Sequence, residues 1–547
     1  MYYREISKVL GYYLFGIALV LLIPFGLAAY FQFISDPLLH PQPHTTIDFI
    51  YTIALALGMG SLFYFFGRSA GGHLYRREGI TIVVAIWVLT PLIAAVPFYT
   101  SGTLENPFIA LFEATSGFST TGATTLQAKK FDPTGQEVPY EIEFCGVSPV
   151  HYSYYGTISP VRDQDGNILF EGMDAVSRAL LFWRGMTQWF GGMGIVVLFV
   201  AILPALGVGG KMLFRSEVPG PLQESLTPRI KETALRLWKI YVGLSLLEVV
   251  ILLWTDGEMS LFQAVTITFT NASTGGFTPV NGSIGYFANP MTEWVIMTFM
   301  FLGGVNYALY FYALQGKFYR FFEPEFFLYI ILLLLGGGFA SWFIIGRTKV
   351  LTTGMTEGVY SVPEAIRYGF FQVVSVMTTT GYTTVDYDRW PYAVQVLLLI
   401  LMYVGGMSGS TSGGFKVIRH YMLFRIGQNH AETLFQPETV QTFRIGNREV
   451  DKRAITTVLN FFLIAIAVAV FSTFIFCIDG VDPETSLSLS SLFVNNIGIG
   501  FRMASPMHSC AFLSDFSLIF SCFLMILGRL EFLVVLAILV PNFWRNL

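Results

Sequence analysis

The feature that most constrains this chain is an order of segments that recurs four times. A long apolar stretch comes first, then a short apolar one, a small polar segment with glycine, and a second long stretch. The long members are about Ile80–Tyr99 and Val176–Leu203, Leu235–Trp254 and Met291–Leu314, Glu325–Ile345 and Tyr392–Phe424, and Ile455–Cys477 and Phe516–Val540. Each approaches or exceeds the roughly 20 apolar residues that carry a helix across the hydrocarbon. The short members, Asn106–Thr115, Leu261–Thr270, Pro363–Met377 and Leu487–Val494, do not. They fit re-entrant half-helices, since irregular backbone at membrane depth is tolerated where it lines a water-filled cavity. Two more long stretches, near Tyr12–Phe33 and Ile47–Phe66, precede the first pair and enclose no such loop. The first is longer than a signal h-region and lacks a convincing cleavage site, so it reads as a retained helix.

Composition excludes the other classes. The chain is 54% hydrophobic and 12% charged, against about 25% charged in soluble domains. Its mean hydropathy is +0.59. A net charge of -4 without a basic stripe argues against nucleic acid. Cys145, Cys477, Cys510 and Cys522 show no metal-ligand spacing, and no Walker A or Rossmann pattern occurs. An intramembrane hydrolase needs His, Asp or Glu clustered at depth, yet His73, His151, His420, His430 and His508 fall in expected loops. The chain reads as no enzyme, with no cofactor of its own.

The small polar segments are Ser119-Thr120-Thr121-Gly122-Ala123, Ser273-Thr274-Gly275-Gly276-Phe277, Thr379-Thr380-Gly381-Tyr382-Thr383 and Asn496-Ile497-Gly498-Ile499-Gly500. They sit at helix C-termini, whose partial negative charge favours cations. Glycine permits the positive φ that turns carbonyls toward an axis, and rings of carbonyls replace a cation's water shell. The candidate cation-binding positions are therefore Thr120, Thr121 and Gly122; Ser273, Thr274 and Gly275; Thr379, Thr380 and Gly381; and Asn496, Ile497 and Gly498. The expected fold is an all-α membrane protein: two N-terminal transmembrane helices plus four helix–pore-loop–helix repeats around a central ion pore. The divisions are 1–77 for the extra helices, 78–210 for repeat 1, 211–316 for repeat 2, 317–450 for repeat 3 and 451–547 for repeat 4.

Loop charges orient this topology. Alternate loops and both termini on one side hold 21 of the 32 Lys and Arg residues, which marks the cytoplasmic side. Arg347 and Lys349 break the rule weakly. An outer insertion, 128–174, carries a net charge of -5. It reads either as a solvated loop or as a folded cap that draws cations to the mouth. Cys145 and Cys510 both fall outside, and a disulfide between them is one option.

Gly405 to Gly414 cannot continue a helix, because glycine costs about 1 kcal/mol against alanine in a helix interior. An intramembrane loop at 405–416, below the carbonyl segments, is expected; a small-residue packing face is the alternative. Arg529 is expected mid-way along the last apolar helix, where a charge costs at least about 2.5–3.5 kcal/mol. It must face the bundle interior, and Glu531 lies on another helix face. Glu248 is a second such charge, with no partner assignable. Glu113 either satisfies backbone amides or sets the outer field, and Asp386 is placed as a vestibule cation attractor.

Two stretches add a family resemblance: Trp183-Arg184-Gly185-Met186-Thr187-Gln188-Trp189-Phe190-Gly191-Gly192-Met193-Gly194, running on to Thr227-Pro228-Arg229-Ile230, and Gly405-Gly406-Met407-Ser408-Gly409-Ser410-Thr411-Ser412-Gly413-Gly414-Phe415-Lys416. With the four loops, they make nearly the whole chain resemble the bacterial Trk/Ktr potassium transporters, and within them the Trk membrane subunit. The resemblance implies that the loop carbonyls hold potassium, the transported ligand. Four glycines favour potassium over sodium, since related plant sodium carriers often have serine in the first loop. Ile499 departs from a pattern that often has proline. The resemblance also implies a gate formed by Gly405, Gly406, Ser408, Gly409, Ser410, Thr411, Ser412, Gly413, Gly414 and Lys416, with Arg529 as a positive barrier. It implies a homodimer in the lipid of the bacterial cytoplasmic membrane, termini inside. Lys416, Arg419, Arg425, Arg444, Arg448 and Arg453 would meet a TrkA-like cytosolic ring that binds nucleotide, or else anionic lipid. The alternatives are a proton- or sodium-coupled symporter, with Glu248 as coupling site, and the potassium-binding subunit of an ATP-driven pump.

Overall fold

In a computed structural model, the protein is described over residues 2–36, 40–71, 74–144, 150–194, 230–436, 444–445, 448–450, 452–530 and 532–545. Two helices, α1 (Tyr3–Phe33) and α2 (Thr46–Gly67), form a hairpin at the N-terminus. They approach closely because Gly11 and Gly67 present no Cβ: one on Gly11 would meet the Tyr64 nitrogen at 2.7 Å.

The order long helix, short helix, loop, second helix then occurs four times. The first set is α3 (Arg76–Ala94), extended by α4 (Val96–Thr100), then α5 (Pro107–Phe118) and α6 (Arg178–Gly192). The second is α7 (Ile230–Thr255), α8 (Leu261–Ala272), α9 (Pro290–Gly303) and α10 (Tyr307–Leu314). The third is α11 (Pro324–Ile344), α12 (Val362–Met377), α13 (Tyr392–Val404) and α14 (Val417–Phe435). The fourth is α15 (Lys452–Ile478), α16 (Pro483–Asn495), α17 (Asp515–Arg529) and α18 (Phe532–Leu539), followed by the short α19 (Pro541–Trp544). Six described helices are long and apolar enough to cross a membrane, or eight when each bent pair counts as one span.

Packing closes these sets into a ring. Each second helix lies against its own short helix and the next one: α6 against α5 and α8, α9 against α8 and α12, α13 against α12 and α16, and α17 against α16 and α5. The buried apolar core falls into two main parts, one around α1–α6 and α15–α17 and one around α7–α13.

The short helices start where the chain supplies a cap. Asn106, Ser260 and Asp482 accept from backbone N–H groups of the first turn, and Ser260 and Ser361 each complete a capping box, with Gln263 and Glu364. The Asp482 cap and Pro483 start the fourth helix before the apolar run at Leu487, earlier than hydrophobicity alone suggests.

The long stretches are less regular than expected. Met291–Leu314 is not one continuous helix: α9 and α10 meet at 93°, because Gly303-Gly304 precede Asn306, whose side chain caps α10. Phe516–Val540 bends by 118° after Arg529. Val176–Leu203 is helical to Gly192, and its remainder from 195 lies outside the described residues. The outer insertion is no bare loop. It folds as three antiparallel hairpins, Lys130–Phe131 with Glu137–Val138, Tyr140–Phe144 with Val150–Tyr154, and Val161–Arg162 with Ile168–Phe170.

Candidate ion pathway

The four loops leave their short helices in the same way. Thr121 N–H donates to Ser116 O at 3.0 Å, Gly275 N–H to Thr270 O at 2.7 Å, Thr380 N–H to Ser375 O at 2.9 Å and Ile497 N–H to Leu492 O at 3.1 Å. The residue before each donor is left-handed: Thr120 (φ 54°), Thr274 (52°), Thr379 (60°) and Asn496 (54°). The residue after each is a left-handed glycine: Gly122 (84°), Gly276 (85°), Gly381 (79°) and Gly498 (85°). In each loop two left-handed residues thus flank one of negative φ. A left-handed threonine or asparagine costs about 1–3 kcal/mol and persists only where its surroundings enforce it.

This geometry corrects the register of the second loop. The equivalent segment is Thr274-Gly275-Gly276, one residue beyond Ser273, Thr274 and Gly275. Ser273 caps α8, as Ser119 caps α5 and Thr378 caps α12. The Gly275-Gly276 pair hid the offset, since either glycine satisfies the pattern.

The loops meet in cyclic order. A Cβ on Gly122 would strike the Gly275 carbonyl oxygen, one on Gly276 the Thr380 oxygen, one on Gly381 the Ile497 oxygen and one on Gly498 the Thr121 oxygen. Each glycine thus abuts the carbonyl just before the next loop's glycine, and the fourth closes on the first. Side chains reinforce the hoop. Tyr382 OH lies 2.5 Å from Thr270 Oγ1, and Asn496 Nδ2 donates to Thr121 Oγ1 at 2.9 Å. All four glycines line an outer cavity of about 270 Å³.

Beneath the ring lies 405–416, non-helical between α13 and α14 as its glycines require. Gly413 N–H donates to Thr379 Oγ1 at 2.6 Å, Gly414 N–H to Asn495 O at 3.0 Å and Thr411 Oγ1 to Ala272 O at 3.2 Å. The segment therefore plugs against the C-termini of three short helices. Arg529 grips it from the side: Nη1 donates to Thr411 O at 2.9 Å, and Nη2 to Gly191 O and Gly192 O, both at 2.8 Å. Arg529 thus ends α17 rather than lying mid-way along a helix, and its guanidinium is bound by carbonyls of 405–416 and of the end of α6. Lys416 donates to Ser412 O.

Comparison with known proteins places the chain in a family. Residues 161–545 match the TrkH family model, described as cation transport protein. The chain is 34% identical to the Trk system potassium uptake protein TrkH of Escherichia coli K12, over 100% of both chains. It is 30% identical to TrkG of the same strain, over 91% of this chain and 92% of that protein.

The chain belongs to the TrkH family. Its fold is similar to the crystal structure of the potassium transporter TrkH from Vibrio parahaemolyticus, with a TM-score of 0.78 and 28% identity over 100% of both chains.

Within this TrkH-family chain, several anticipated residues lie elsewhere than expected. Neither Glu113 nor Asp386 lines the cavity at the ring. Of the two roles expected for it, Glu113 takes the first: it is buried, accepts from Thr125 N–H at 3.0 Å and pairs with Arg184, Nε to Oε1 at 2.6 Å. Asp386 is buried, pairs with Arg389 at 3.2 Å and accepts from Asp388 N–H. Lys416 and Arg419 are buried rather than on a basic inner face, and Arg419 stacks on Phe461. His420 and His430 sit on α14, not in loops. Cys145 lies outside the described residues, and Cys510 is a free, buried thiol. Glu248 finds a partner in Asn271, whose Nδ2 donates to Oε1 at 2.5 Å.

Four participants escaped sequence reasoning: Gly276; Glu325, which accepts from Ser408 N–H at 2.6 Å; and the pair Arg184 and Gln188. Two polar residues four apart on a helix share a face, and that spacing was the available signal.

Proposed function

We propose that the chain is a potassium-uptake subunit of the bacterial cytoplasmic membrane, with potassium as its cargo. It is built as two helices plus four helix–pore-loop–helix repeats, with both termini inside. The carbonyls of Thr120-Thr121-Gly122, Thr274-Gly275-Gly276, Thr379-Thr380-Gly381 and Asn496-Ile497-Gly498 form the selectivity filter. The observation that carries this reading is the closed ring, in which each loop glycine abuts the next loop's carbonyl. Such an arrangement substitutes for a cation's hydration shell.

The segment 405–416, held by Arg529, is the gate. It lies on the filter's inner side, and its glycines let it move. Half-buried Arg425 and exposed Arg453 belong to the surface that meets a TrkA-like nucleotide-binding ring, and the working unit is a homodimer. The names of the relatives, Trk system potassium uptake proteins, support the same transport.

The test is ion flux into proteoliposomes holding this chain alone, with potassium and sodium gradients imposed in turn, each with and without a proton gradient. Potassium-selective flux along the electrochemical gradient is expected; equal potassium and sodium flux would sink the filter reading. A coupled symporter is the second reading, favoured by one observation: Glu248 Oε2, buried, has no hydrogen-bond partner among the described residues. Glu248→Gln without change in proton or sodium dependence would remove it.

A further inference from the structure

One carbonyl of the ring is held differently from the other three. Thr121, Thr380 and Ile497 carry side chains that the surrounding structure holds in place. Thr121 Oγ1 meets Ser119 Oγ at 2.7 Å, Thr380 Oγ1 meets Thr378 Oγ1 at 2.8 Å, and Ile497 is fully buried among apolar neighbours. The fourth position is Gly275, which has no side chain. Two consecutive glycines there leave the peptide planes free to rotate.

The space behind Gly275 is taken by a residue from another set of helices. Gln188, on α6, is fully buried. A Cβ on Gly275 would lie 2.5 Å from both its Cδ and its Oε1. Its amide bonds the loop on both sides of Gly276. Nε2 donates to Gly275 O at 2.7 Å, and Oε1 accepts from Phe277 N–H at 3.1 Å. The Phe277 donor fixes which amide atom is oxygen, so the other must donate to Gly275. One turn earlier on the same face, Arg184 Nη1 donates to Thr278 O at 3.0 Å and stacks on Phe277.

We infer that Gln188 is a positioning residue for ion selectivity: it stands in for the side chain missing at Gly275 and sets the direction of that carbonyl. The inference rests on the proposed filter. A carbonyl ring discriminates between cations through the number and orientation of its dipoles. With Gln188 in place, the peptide units on either side of Gly276 are both held, the first by its carbonyl and the second by its N–H; without it, the Gly275 carbonyl alone of the four would be free to turn.

The test measures potassium and sodium flux in proteoliposomes for the unaltered chain, Gln188→Glu, Gln188→Ala and the double variant Gln188→Ala/Gly275→Thr. Gln188→Glu keeps the shape and the acceptor for Phe277 but replaces the donor to Gly275 with an acceptor. The expected result is a potassium-to-sodium ratio lowered by roughly tenfold, equivalent to about 1.4 kcal/mol, in both single variants, with potassium flux retained. Threonine at 275, with room made by alanine at 188, restores the ratio as Thr121 and Thr380 do in their own loops. An unchanged ratio in Gln188→Glu would overturn the inference. So would a Gln188→Glu protein that does not fold, since that would make Gln188 a residue of the fold. If the unaltered chain itself does not prefer potassium, the filter reading fails first and takes this inference with it. If only the variants match it, the filter stands and the role of Gln188 falls.

Discussion

Glu113 and Arg184 are, respectively, wholly and almost wholly removed from solvent, and each is the other's compensation. Breaking a buried pair by removing one partner leaves an uncompensated charge and costs about 3–5 kcal/mol. Arg184→Met or Glu113→Leu alone should therefore lower the thermal midpoint of the purified protein steeply, and the double variant less than the sum. Equal additivity in the melting series would show that the two charges do not stabilise each other. The register of the second loop gives another residue-scale outcome. Gly276→Ala should abolish potassium flux, because the new methyl runs into the Thr380 carbonyl. Ser273→Ala should leave flux intact, because Ser273 Oγ bonds only backbone oxygens of its own helix. The positions at 122, 381 and 498 were legible in the sequence, since each loop has one glycine at the matched place. Position 276 was not, because a glycine pair offers two registers and only the hydrogen bond from Gly275 N–H to Thr270 O chooses.

Among elements, the segment 405–416 is legible from its glycines, and its contacts are not. Its attachments to Thr379, Asn495, Ala272, Glu325 and Arg529 come from five distant stretches of chain. Deleting Ser408–Gly413 should raise potassium flux, and Arg529→Ala should raise it in the same direction; unchanged flux in both would end the gate proposal. The start of α12 makes a pH prediction. The Lys349 ammonium, at 2.7 Å, together with Ser361 holds the Glu364 carboxyl down at about 2, against an ordinary 4.5. A depressed carboxyl stabilises the fold above its ordinary value, and that part is lost as pH falls from 4.5 toward about 2. Amide exchange in the first turn of α12 should therefore quicken over that window, and Glu364→Gln should remove the pH dependence. The effect is modest, because Glu364 is partly exposed.

Across the whole molecule, the hairpins of 128–174 are tied to the last of the four sets through Tyr152, with Phe512 packed against Tyr152 and Tyr154 and Arg502 over Phe144. Tyr152 OH donates to Asp482 Oδ1 at 2.5 Å, and Asp482 is also the cap of α16. Tyr152→Phe should cost about 1 kcal/mol and speed hydrogen exchange in the strand Val150–Tyr154 without altering the α7–α10 half. Exchange unchanged in that strand would show that the cap is held elsewhere.

The sequence by itself determined the membrane class, the order of long and short helices, and the glycines that permit left-handed backbone, because these follow from local hydrophobicity and local sterics. Tertiary structure decided the bends in α9–α10 and α17–α18, the register at Gly276, the pairing of Glu113 with Arg184 and the seat of Gln188 behind Gly275. For Glu113 and Gln188 the physical reason is that a buried polar group must find its partner wherever the folded chain brings one within hydrogen-bond reach, and that partner lies dozens of positions away. The α9–α10 bend and the register at Gly276 turn instead on bonds a few residues apart, Asn306 to Ala308 and Gly275 to Thr270, which the hydrophobic pattern does not choose.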